Sequence, residues 1–391
     1  MNILISMSNL YMGGAQTFVV NLSEALSKRH RVYIYCVLPD QVESSLKNRL
    51  PASVRLIFFP TWLDNLTANI DHFLVKKNIR LWINDLCKKI HYLFYLKLYN
   101  VRIINSHLFH SDKFITEKTG SRIPVIITDH GDYNYVIEQG FADITVVRKI
   151  FDVVNHVVYI SENNKNRIKE LTGRDDGKFT LINNGIPRRF ISQTEKDKIS
   201  SGLNIKPGDF IFGMVARGIP EKGWEIAISA FLNLNTKDIT LHLILVGDSD
   251  YLKELHERYI DHKNIHFLGQ VSDPLSIMSI IHVGLLPSYF QGESMPMAVI
   301  EFLCCDVPVI ATDTGSLGSM LEINIKPAGQ LLKPDDDNKP CVDTLSSLMN
   351  NYIMNQSLYT EHKNNCRFCF SRFDIDNVTK EYEKVFLKCL S

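Results

Sequence analysis

Short apolar blocks alternate along the chain with stretches in which apolar residues recur every three or four positions. The first blocks predict a strand at 2–7, a glycine turn, a helix at 17–26 and a strand at 31–38. Four more strands are predicted in the first half, at 101–105, 125–128, 156–160 and 179–182. Strands and helices in alternation predict a parallel sheet that is covered by helices on both faces.

The alternation stops at a polar segment and then begins again. Pro187, the stretch 192–202 and Pro207-Gly208 predict a linker or an excursion between domains. The second cycle predicts strands at 210–215, 241–246, 265–268, 283–287 and 308–311, and helices at 224–234, 251–259, 273–280 and 297–304. A last helical pattern covers 375–390.

The sequence therefore predicts an α/β protein with two doubly wound, Rossmann-like domains. The expected boundaries are 1–190 for the first domain, 191–207 for the linker, 208–374 for the second domain and 375–391 for a C-terminal helix. Open α/β sheets bind ligands at the carboxyl ends of their strands, so two such domains in series predict a cleft at these ends.

Composition and charge narrow the class of protein. Apolar residues make up 45% and charged residues 22% of the 391, which excludes a disordered or collagen-like chain. The formal net charge is zero, but positions 1–189 hold 25 basic and 17 acidic residues, and the remainder holds 18 and 26. The halves therefore carry +8 and −8. This asymmetry points to a partner that touches one half, such as an anionic lipid or glycan on the basic half.

The sequence also predicts a cellular location. The N-terminus lacks the basic segment of a signal peptide, and no apolar run approaches the roughly 18 residues that span a membrane. Eight scattered cysteines are too sparse for a disulfide framework, and we expect them to be reduced. These features predict a cytoplasmic protein.

Two glycines, Gly13 and Gly14, separate the first strand from the first helix. Glycine lets backbone amides approach a phosphate or a sugar, and the following helix offers free N–H groups and a positive dipole end. The pair lacks the spacing of a dinucleotide fingerprint, so nothing here favours NAD. A plain tight turn would explain the same two residues.

A second loop carries two cations. Arg217 and Lys222 flank a Gly- and Pro-containing loop between the strand at 210–215 and the helix at 224–234. A guanidinium, an ammonium and free helix amides together suit a diphosphate. The alternative is a solvated basic loop.

A third segment combines two carboxylates with the start of a helix. Glu293 follows the strand at 283–287, residues 294–297 span the helix start, and Glu301 falls among apolar residues of that helix. A buried carboxylate needs hydrogen-bond donors, and ribose hydroxyls would supply them. Otherwise Glu301 lies on the polar edge of the helix.

These residues together resemble glycosyltransferase family 4, the retaining, nucleotide-sugar-dependent enzymes of the GT-B fold. The family's motifs occur in order as Gly13-Gly14, Asn183-Asn184-Gly185-Ile186, the loop with Arg217, Lys222 and Gly223, Glu293 with Glu301, and the segment 308–315 that ends at Gly315. The resemblance implies two Rossmann-like domains that face each other across a cleft. It also implies that the helix at 375–391 packs back on the first domain.

The resemblance further implies a role for each candidate residue. Arg217 and Lys222 would bind the diphosphate of a UDP- or GDP-sugar, Glu301 the ribose, and Glu293 with Ser294, Met295 and Met297 the transferred sugar. Gly13 and Gly14 would approach the donor from the first domain. His130, in the loop Thr128-Asp-His130-Gly131-Asp132, resembles the histidine that contacts the donor sugar, and His107 matches a second position with less specificity. A lone histidine is, however, more often structural.

The implied reaction is a same-face substitution in which the leaving diphosphate oxygen deprotonates the acceptor hydroxyl. No metal and no cofactor are expected, because the two cations would do a metal's work.

Residues 75–97 predict an amphipathic helix in the basic half. Its apolar stripe is Val75, Ile79, Trp82, Ile83, Leu86, Ile90 and Leu93, with basic residues towards the opposite side and aromatic residues up to Tyr99. Such a segment, 75–99, suits the interface of an anionic membrane. A crossover helix that only covers its sheet needs the same stripe.

We therefore expect a retaining hexosyl- or N-acetylhexosaminyltransferase that acts on a glycan or lipid-linked acceptor in surface polysaccharide biosynthesis, such as lipopolysaccharide or capsule. It would be cytoplasmic or peripheral on the inner membrane face, with no nucleic-acid partner. Two alternatives stay open: an epimerase or phosphorylase of the same fold, and a non-catalytic nucleotide-sugar or glycan-binding protein.

Overall fold

A computed structural model describes residues 1–11, 13–38, 41–120, 122–131, 133–174, 177–236, 238–290, 293–335 and 339–391. The chain divides into two compact units. Unit 1 comprises Met1–Gly185 with Ile375–Ser391, and unit 2 comprises Ile186–Asp374.

Unit 1 is built on a parallel sheet. Its strands are β1 (Asn2–Met7), β2 (Arg31–Cys36), β3 (Val54–Phe58), β4 (Ile103–His107), β5 (Val125–Asp129), β6 (His156–Tyr159) and β7 (Phe179–Leu181). They form one sheet in the order β3-β2-β1-β4-β5-β6-β7. Its first eight helices are α1 (Gly14–Ser27), α2 (Ser44–Arg49), α3 (Thr61–Lys76), α4 (Ile83–Leu98), α5 (Phe109–Lys118), α6 (Tyr133–Glu138), α7 (Ile144–Val153) and α8 (Glu162–Thr172).

Unit 2 repeats the plan with a six-stranded parallel sheet. Its strands are β8 (Phe210–Val215), β9 (Leu241–Val246), β10 (Ile265–Phe267), β11 (Val283–Leu286), β12 (Val309–Thr312), β13 (Glu322–Ile323), β14 (Lys326–Pro327) and β15 (Gly329–Leu332). The main sheet has the order β10-β9-β8-β11-β12-β15, and β13 and β14 form a small antiparallel pair.

The helices of unit 2 begin inside the segment predicted as a linker. They are α9 (Gln193–Gly202), α10 (Trp224–Leu232), α11 (Asp250–Arg258), α12 (Pro274–Met278), α13 (Met297–Cys304), α14 (Leu317–Leu321), α15 (Val342–Met354) and α16 (Gln356–Phe370), and a 3-10 turn lies at Pro220–Lys222. The last helix, α17 (Ile375–Leu390), belongs to unit 1.

Each sheet is covered on both faces, as the alternating pattern predicts. In unit 1, Phe18 of α1 and Tyr382 of α17 share one core cluster, while Tyr92 of α4 and Phe151 of α7 belong to another. In unit 2, α10 and α15 cover one face, because Trp224 and Tyr352 share a cluster with the sheet. The helix α13 covers the other face, where a Cβ at Gly284 would lie 2.8 Å from the ring of Phe302. The predicted α/β class with two Rossmann-like domains is therefore confirmed.

Two strands of the main sheets, β3 and β15, were not predicted by the apolar pattern, and both lie at sheet edges. β3 and β15 each have one neighbouring strand, and side chains such as Phe58 and Leu331 are exposed. An edge strand buries fewer side chains than a central one, so it lacks the continuous apolar run that marks a strand buried on both faces.

The amphipathic helix predicted at 75–97 is divided between two helices. Residues 75–76 end α3, and α4 begins at Ile83. No helix within the described ranges is both long and apolar enough to cross a bilayer.

Candidate active site

Contacts with Trp224 and Pro287 fix the position of the loop after β8. The carbonyl oxygen of Arg217 accepts a hydrogen bond from Nε1 of the fully buried Trp224 at 3.1 Å. Gly223 has φ +83°, and a Cβ there would lie 2.0 Å from the carbonyl oxygen of Pro287. The loop therefore presses on the chain that leaves β11, and only glycine fits at its end.

Lys222 and Glu293 form a buried ion pair. Both residues are 6% exposed, and Lys222 Nζ donates to Glu293 Oε1. Ser288 Oγ donates to the same oxygen at 3.0 Å. Burial lowers the pKa of Lys222, the carboxylate of Glu293 opposes this, and the positive charge of Arg217 adds to it. The carboxylate thus supplies the partner that a buried ammonium requires.

Phe290 brings the two cations of the loop together. Its ring centroid lies 4.8 Å from Lys222 Nζ and 5.1 Å from Arg217 Cζ. The face of an aromatic ring attracts cations. The two positive charges still repel each other, and a bound anion would relieve that repulsion. Sequence reasoning missed Phe290, although an aromatic residue in the polar turn before Glu293 is visible in the sequence.

The start of α13 is fixed by contacts between two sequence motifs. Gly315 has φ +58°, and a Cβ there would lie 1.9 Å from the carbonyl oxygen of Glu293. On β11, a Cβ at Gly284 would lie 2.8 Å from the ring of Phe302, so α13 packs closely on the sheet. These two close approaches fix the backbone at Glu293 and the helix that follows it.

The remaining candidates of this segment lie just before α13 and within it. Met295 is buried, Ser294 and Met297 are half-buried, and Glu301 is half-buried one turn after Met297. The structure thus brings Arg217, Lys222 and Glu293 into one cluster and places Glu301 further along the same helix.

His130 lies at the end of β5 in unit 1 and forms a chain of hydrogen bonds. Asn105 Nδ2 donates to Thr128 Oγ1 at 3.0 Å, so its Oδ1 accepts from His107 Nε2 at 2.9 Å. His107 Nδ1 is then an acceptor, and His130 Nε2 donates to it at 3.0 Å. This assignment leaves Nδ1 of His130 as an acceptor, buried and without a hydrogen-bond partner among the residues that the structure describes.

Burial favours the neutral form of both histidines. Burial lowers the pKa of His130 to about 3 and that of His107 well below its ordinary value, and the charge of His130 would lower that of His107 further. Their hydrogen-bond partners among the described residues are uncharged groups, which do not stabilise a protonated ring as a carboxylate would. Sequence reasoning named both histidines but missed Asn105, whose role depends on the pairing of neighbouring strands.

Gly13 and Gly14 lie at the start of the helix whose Phe18 contacts this histidine pair. Gly13 caps α1, Gly14 is its first residue, and Phe18 one turn later contacts the ring of His130 edge-on at 5.9 Å. A Cβ at Gly13 would lie 2.5 Å from Gln16 Oε1. Asp132, the last residue of the predicted histidine loop, lies outside the described residues.

Across the described ranges, no three His, Cys, Asp or Glu side chains are grouped in a way that could hold a metal ion. In the described part of the unit 2 cluster, the cations beside Phe290 are Arg217 and Lys222.

Two family models match consecutive parts of the chain. The model described as Glycosyltransferase Family 4 matches residues 12–190, and the one described as Glycosyl transferases group 1 matches residues 195–365. The chain belongs to glycosyltransferase family 4. The resemblance inferred from the sequence motifs is thus confirmed.

Curated relatives of this family 4 chain match it at low identity. The uncharacterized glycosyltransferase MJ1178 of Methanocaldococcus jannaschii is 26% identical over 242 residues, which are 60% of this chain and 61% of that protein. The capsular polysaccharide biosynthesis glycosyltransferase CapM of Staphylococcus aureus is 26% identical over 176 residues, 42% of this chain and 45% of CapM. The chain thus matches about half of the length of these relatives.

Solved structures match the family 4 chain over its whole length. HepE of Anabaena in complex with UDP has a TM-score of 0.73 at 18% identity, covering 99% of this chain and 100% of HepE. Sucrose-phosphate synthase of Thermosynechococcus elongatus gives 0.73 at 18% identity, with 99% of each chain covered. The fold is GT-B, as predicted.

Proposed function

We propose that this chain is a retaining glycosyltransferase that moves a hexose or an N-acetylhexosamine from a UDP- or GDP-sugar to an acceptor hydroxyl. The acceptor would be a glycan or a lipid-linked sugar in surface polysaccharide biosynthesis. The name of CapM supports the pathway class. A Campylobacter jejuni relative, 24% identical over 235 residues, is named as an N-acetylgalactosaminyltransferase acting on a diphospho-undecaprenol-linked sugar, which supports a lipid-linked acceptor.

The observation that carries this proposal is the convergence of Arg217 and Lys222 on Phe290, beside the buried carboxylate of Glu293. Two cations that repel each other beside a helix start form a site for an anion with more than one charge, and a diphosphate has that charge. HepE was crystallised with UDP and with UDP-glucose, which supports a nucleotide-sugar donor.

In the proposed reaction, the bond between the anomeric carbon and the diphosphate oxygen breaks while the acceptor oxygen bonds to the same face of that carbon. The acceptor's proton passes to the leaving diphosphate oxygen. Arg217 and Lys222 stabilise the charge that develops on the diphosphate. This assigns the base to the donor itself and leaves the protein an electrostatic role.

The other candidate residues would hold the sugar and the nucleoside. Both side-chain hydrogen bonds of Glu293 in the described chain go to Oε1, so Oε2 is available to a sugar hydroxyl. We assign Glu301 to the ribose, the segment with Ser294, Met295 and Met297 to the transferred sugar, and Gly13 and Gly14 to the approach of the donor. His130 would accept a sugar hydroxyl at Nδ1.

The test is turnover by Lys222→Ala and Arg217→Ala variants with a donor selected by a thermal-shift screen of UDP- and GDP-sugars. Each loss of a cation should lower kcat by about 10²–10³, as is typical for removal of one donor to a developing negative charge. Lys253→Ala, on the exposed surface of α11, is the matched control and should leave kcat unchanged.

A folded Lys222→Ala variant with near-normal turnover would overturn the proposal. Donor binding without transfer or hydrolysis would instead identify a non-catalytic binding protein, and interconversion of the sugar without an acceptor would identify an epimerase. The anomeric configuration of the product, read by NMR, tests retention separately.

A further inference from the structure

The hairpin of α3 and α4, residues 61–99, exposes apolar residues that the fold does not use. On α3 the exposed residues Trp62, Leu66, Ile70 and Phe73 recur at helical spacing, and Trp62 is 69% exposed. The buried residue of this helix is Thr67. An apolar stripe that covers a sheet would be buried, so this stripe has another use.

The second helix of the hairpin repeats the arrangement. Trp82, Leu86, Ile90, Phe94 and Leu98 are exposed, and Trp82 is 67% exposed. The helix packs on unit 1 through Tyr92 and Leu96, which lie on a different side. Sheet coverage therefore does not explain the stripe predicted from the sequence.

Polar contacts hold the two helices together and hold their acidic residues in place. Asn84 Nδ2 donates to Asp64 Oδ1 at 2.6 Å, and Lys88 Nζ lies 2.8 Å from the same oxygen. Asp71 accepts from the amides of Ile83 and Asn84, which start α4. The third acid, Asp85, pairs with Lys118 of α5 at 2.7 Å. All three carboxylates of the hairpin are thus already engaged.

The remaining basic residues of the hairpin differ from its carboxylates, which are all engaged in hydrogen bonds or ion pairs. Lys76, Lys77, Arg80, Lys89 and Lys97 are exposed, and none has a carboxylate partner within the described ranges. Three of them cluster where the helices join. The hairpin therefore presents unpaired positive charge around exposed aromatic and aliphatic side chains.

We infer that the α3–α4 hairpin docks unit 1 onto an anionic lipid bilayer. Apolar and tryptophan side chains enter the interface while lysines and arginine meet lipid phosphates. A second copy of the chain fits this surface poorly, because it would bring five unpaired cations against five like charges. The inference rests on the proposed function only in that a lipid-linked acceptor gives such docking a purpose.

The test is sedimentation of the full chain with phosphatidylcholine vesicles that contain phosphatidylglycerol, compared with vesicles of phosphatidylcholine alone. We expect binding to the anionic vesicles that weakens as salt is raised. The variant Lys76→Gln/Lys77→Gln/Arg80→Gln should bind about 100-fold more weakly, since each cation near an anionic surface contributes about fivefold. The matched control, Lys380→Gln/Lys384→Gln/Lys388→Gln on α17, removes the same charge from unit 1 and should bind like the native chain.

Tryptophan fluorescence gives a second readout. Trp62 and Trp82 are exposed while Trp224 is buried, so a shift to shorter wavelength on anionic vesicles reports insertion of the hairpin. The combined variant Trp62→Ser/Trp82→Ser should lose this shift and most of the binding. Equal binding to both kinds of vesicle, or binding unaffected by either hairpin variant, would overturn the inference.

Concentration-dependent dimers that these variants abolish would also overturn it, in favour of self-association. Transfer to a water-soluble acceptor should be unchanged in all hairpin variants. A failure of vesicle binding is therefore distinguishable from a failure of the proposed enzyme activity.

Discussion

The candidate residues of the two units follow parallel strands in both cases, but their ionisation differs. Lys222 of unit 2 and His130 of unit 1 both follow a parallel strand, and burial lowers the pKa of both. Lys222 has a carboxylate partner, Glu293, whereas His130 has the neutral ring of His107. Burial therefore yields a paired charge in one unit and an uncharged acceptor in the other, and the partner makes the difference.

The largest expected effect comes from removing the partner of the buried ammonium. Glu293→Gln keeps the shape but leaves Lys222 uncompensated, so unit 2 should lose about 3–5 kcal/mol of unfolding free energy. The double variant Lys222→Met/Glu293→Gln should recover most of this loss, because no charge is then buried. Urea unfolding followed by the fluorescence of the buried Trp224 measures both.

Glu225→Gln is the control for this comparison, since its ion pair with Arg258 is exposed on both sides. It should cost less than about 1 kcal/mol. If the double variant lost as much unfolding free energy as Lys222→Met and Glu293→Gln lose together as single variants, Lys222 and Glu293 would not be a coupled pair.

A smaller loss of unfolding free energy is expected from alanine at Gly223, the end of the loop that carries Arg217 and Lys222. Gly223→Ala should lose about 1–2 kcal/mol for the left-handed backbone, and about 1–3 kcal/mol more because the new methyl group meets the carbonyl of Pro287. Gly173 of unit 1 has φ +71° and open space around it. Gly173→Ala should therefore lose only the free energy that the left-handed backbone costs. Thermal unfolding of both variants checks the difference, and equal losses would contradict the close approach of the loop.

The smallest expected effect is a pH dependence of unit 1. The unfolded chain binds protons at histidine below about pH 6.5, whereas buried His107 and His130 stay neutral, so stability is full above that pH and falls as the pH falls towards 3. Between pH 6.5 and 5, each histidine should contribute at most about 1.4 kcal/mol per pH unit, or about 2 kcal/mol in total. His107→Gln should therefore flatten the dependence between pH 6.5 and 5.

Hydrogen exchange of the amides in β4 and β5 measures this dependence in unit 1 alone. His72→Gln, at an exposed position of α3, is the control and should leave the slope as it is in the native chain. An unchanged slope in His107→Gln would show that the histidine pair takes up protons in the folded state.

Sequence pattern was sufficient for most of the fold. The strands Phe210–Val215 and Leu241–Val246 begin and end at the predicted residues, because a strand buried on both faces is a nearly continuous apolar run. The same pattern failed for β3 and β15, where one side of the strand has no neighbour.

For the candidate site, the sequence was sufficient to name the charged residues. Arg217, Lys222 and Glu293 could be named because loops after parallel strands gather at one edge of the sheet, and the chemistry of a cation or carboxylate is visible in its residue type. The contacts that position these residues could not be predicted from the sequence. Lys222 and Glu293 are 71 positions apart, and nothing local indicates that they pair or that Phe290 contacts both cations.

Tertiary structure alone decided which face of each amphipathic helix is buried. The periodicity of 75–97 is compatible with covering a sheet and with meeting a membrane, because both require an apolar stripe. Packing of Tyr92 and Leu96 on unit 1 leaves Ile90, on another side of the same helix, exposed. A sequence states the spacing of apolar residues, but only the contacts made by the folded chain determine which of them remain available to a partner.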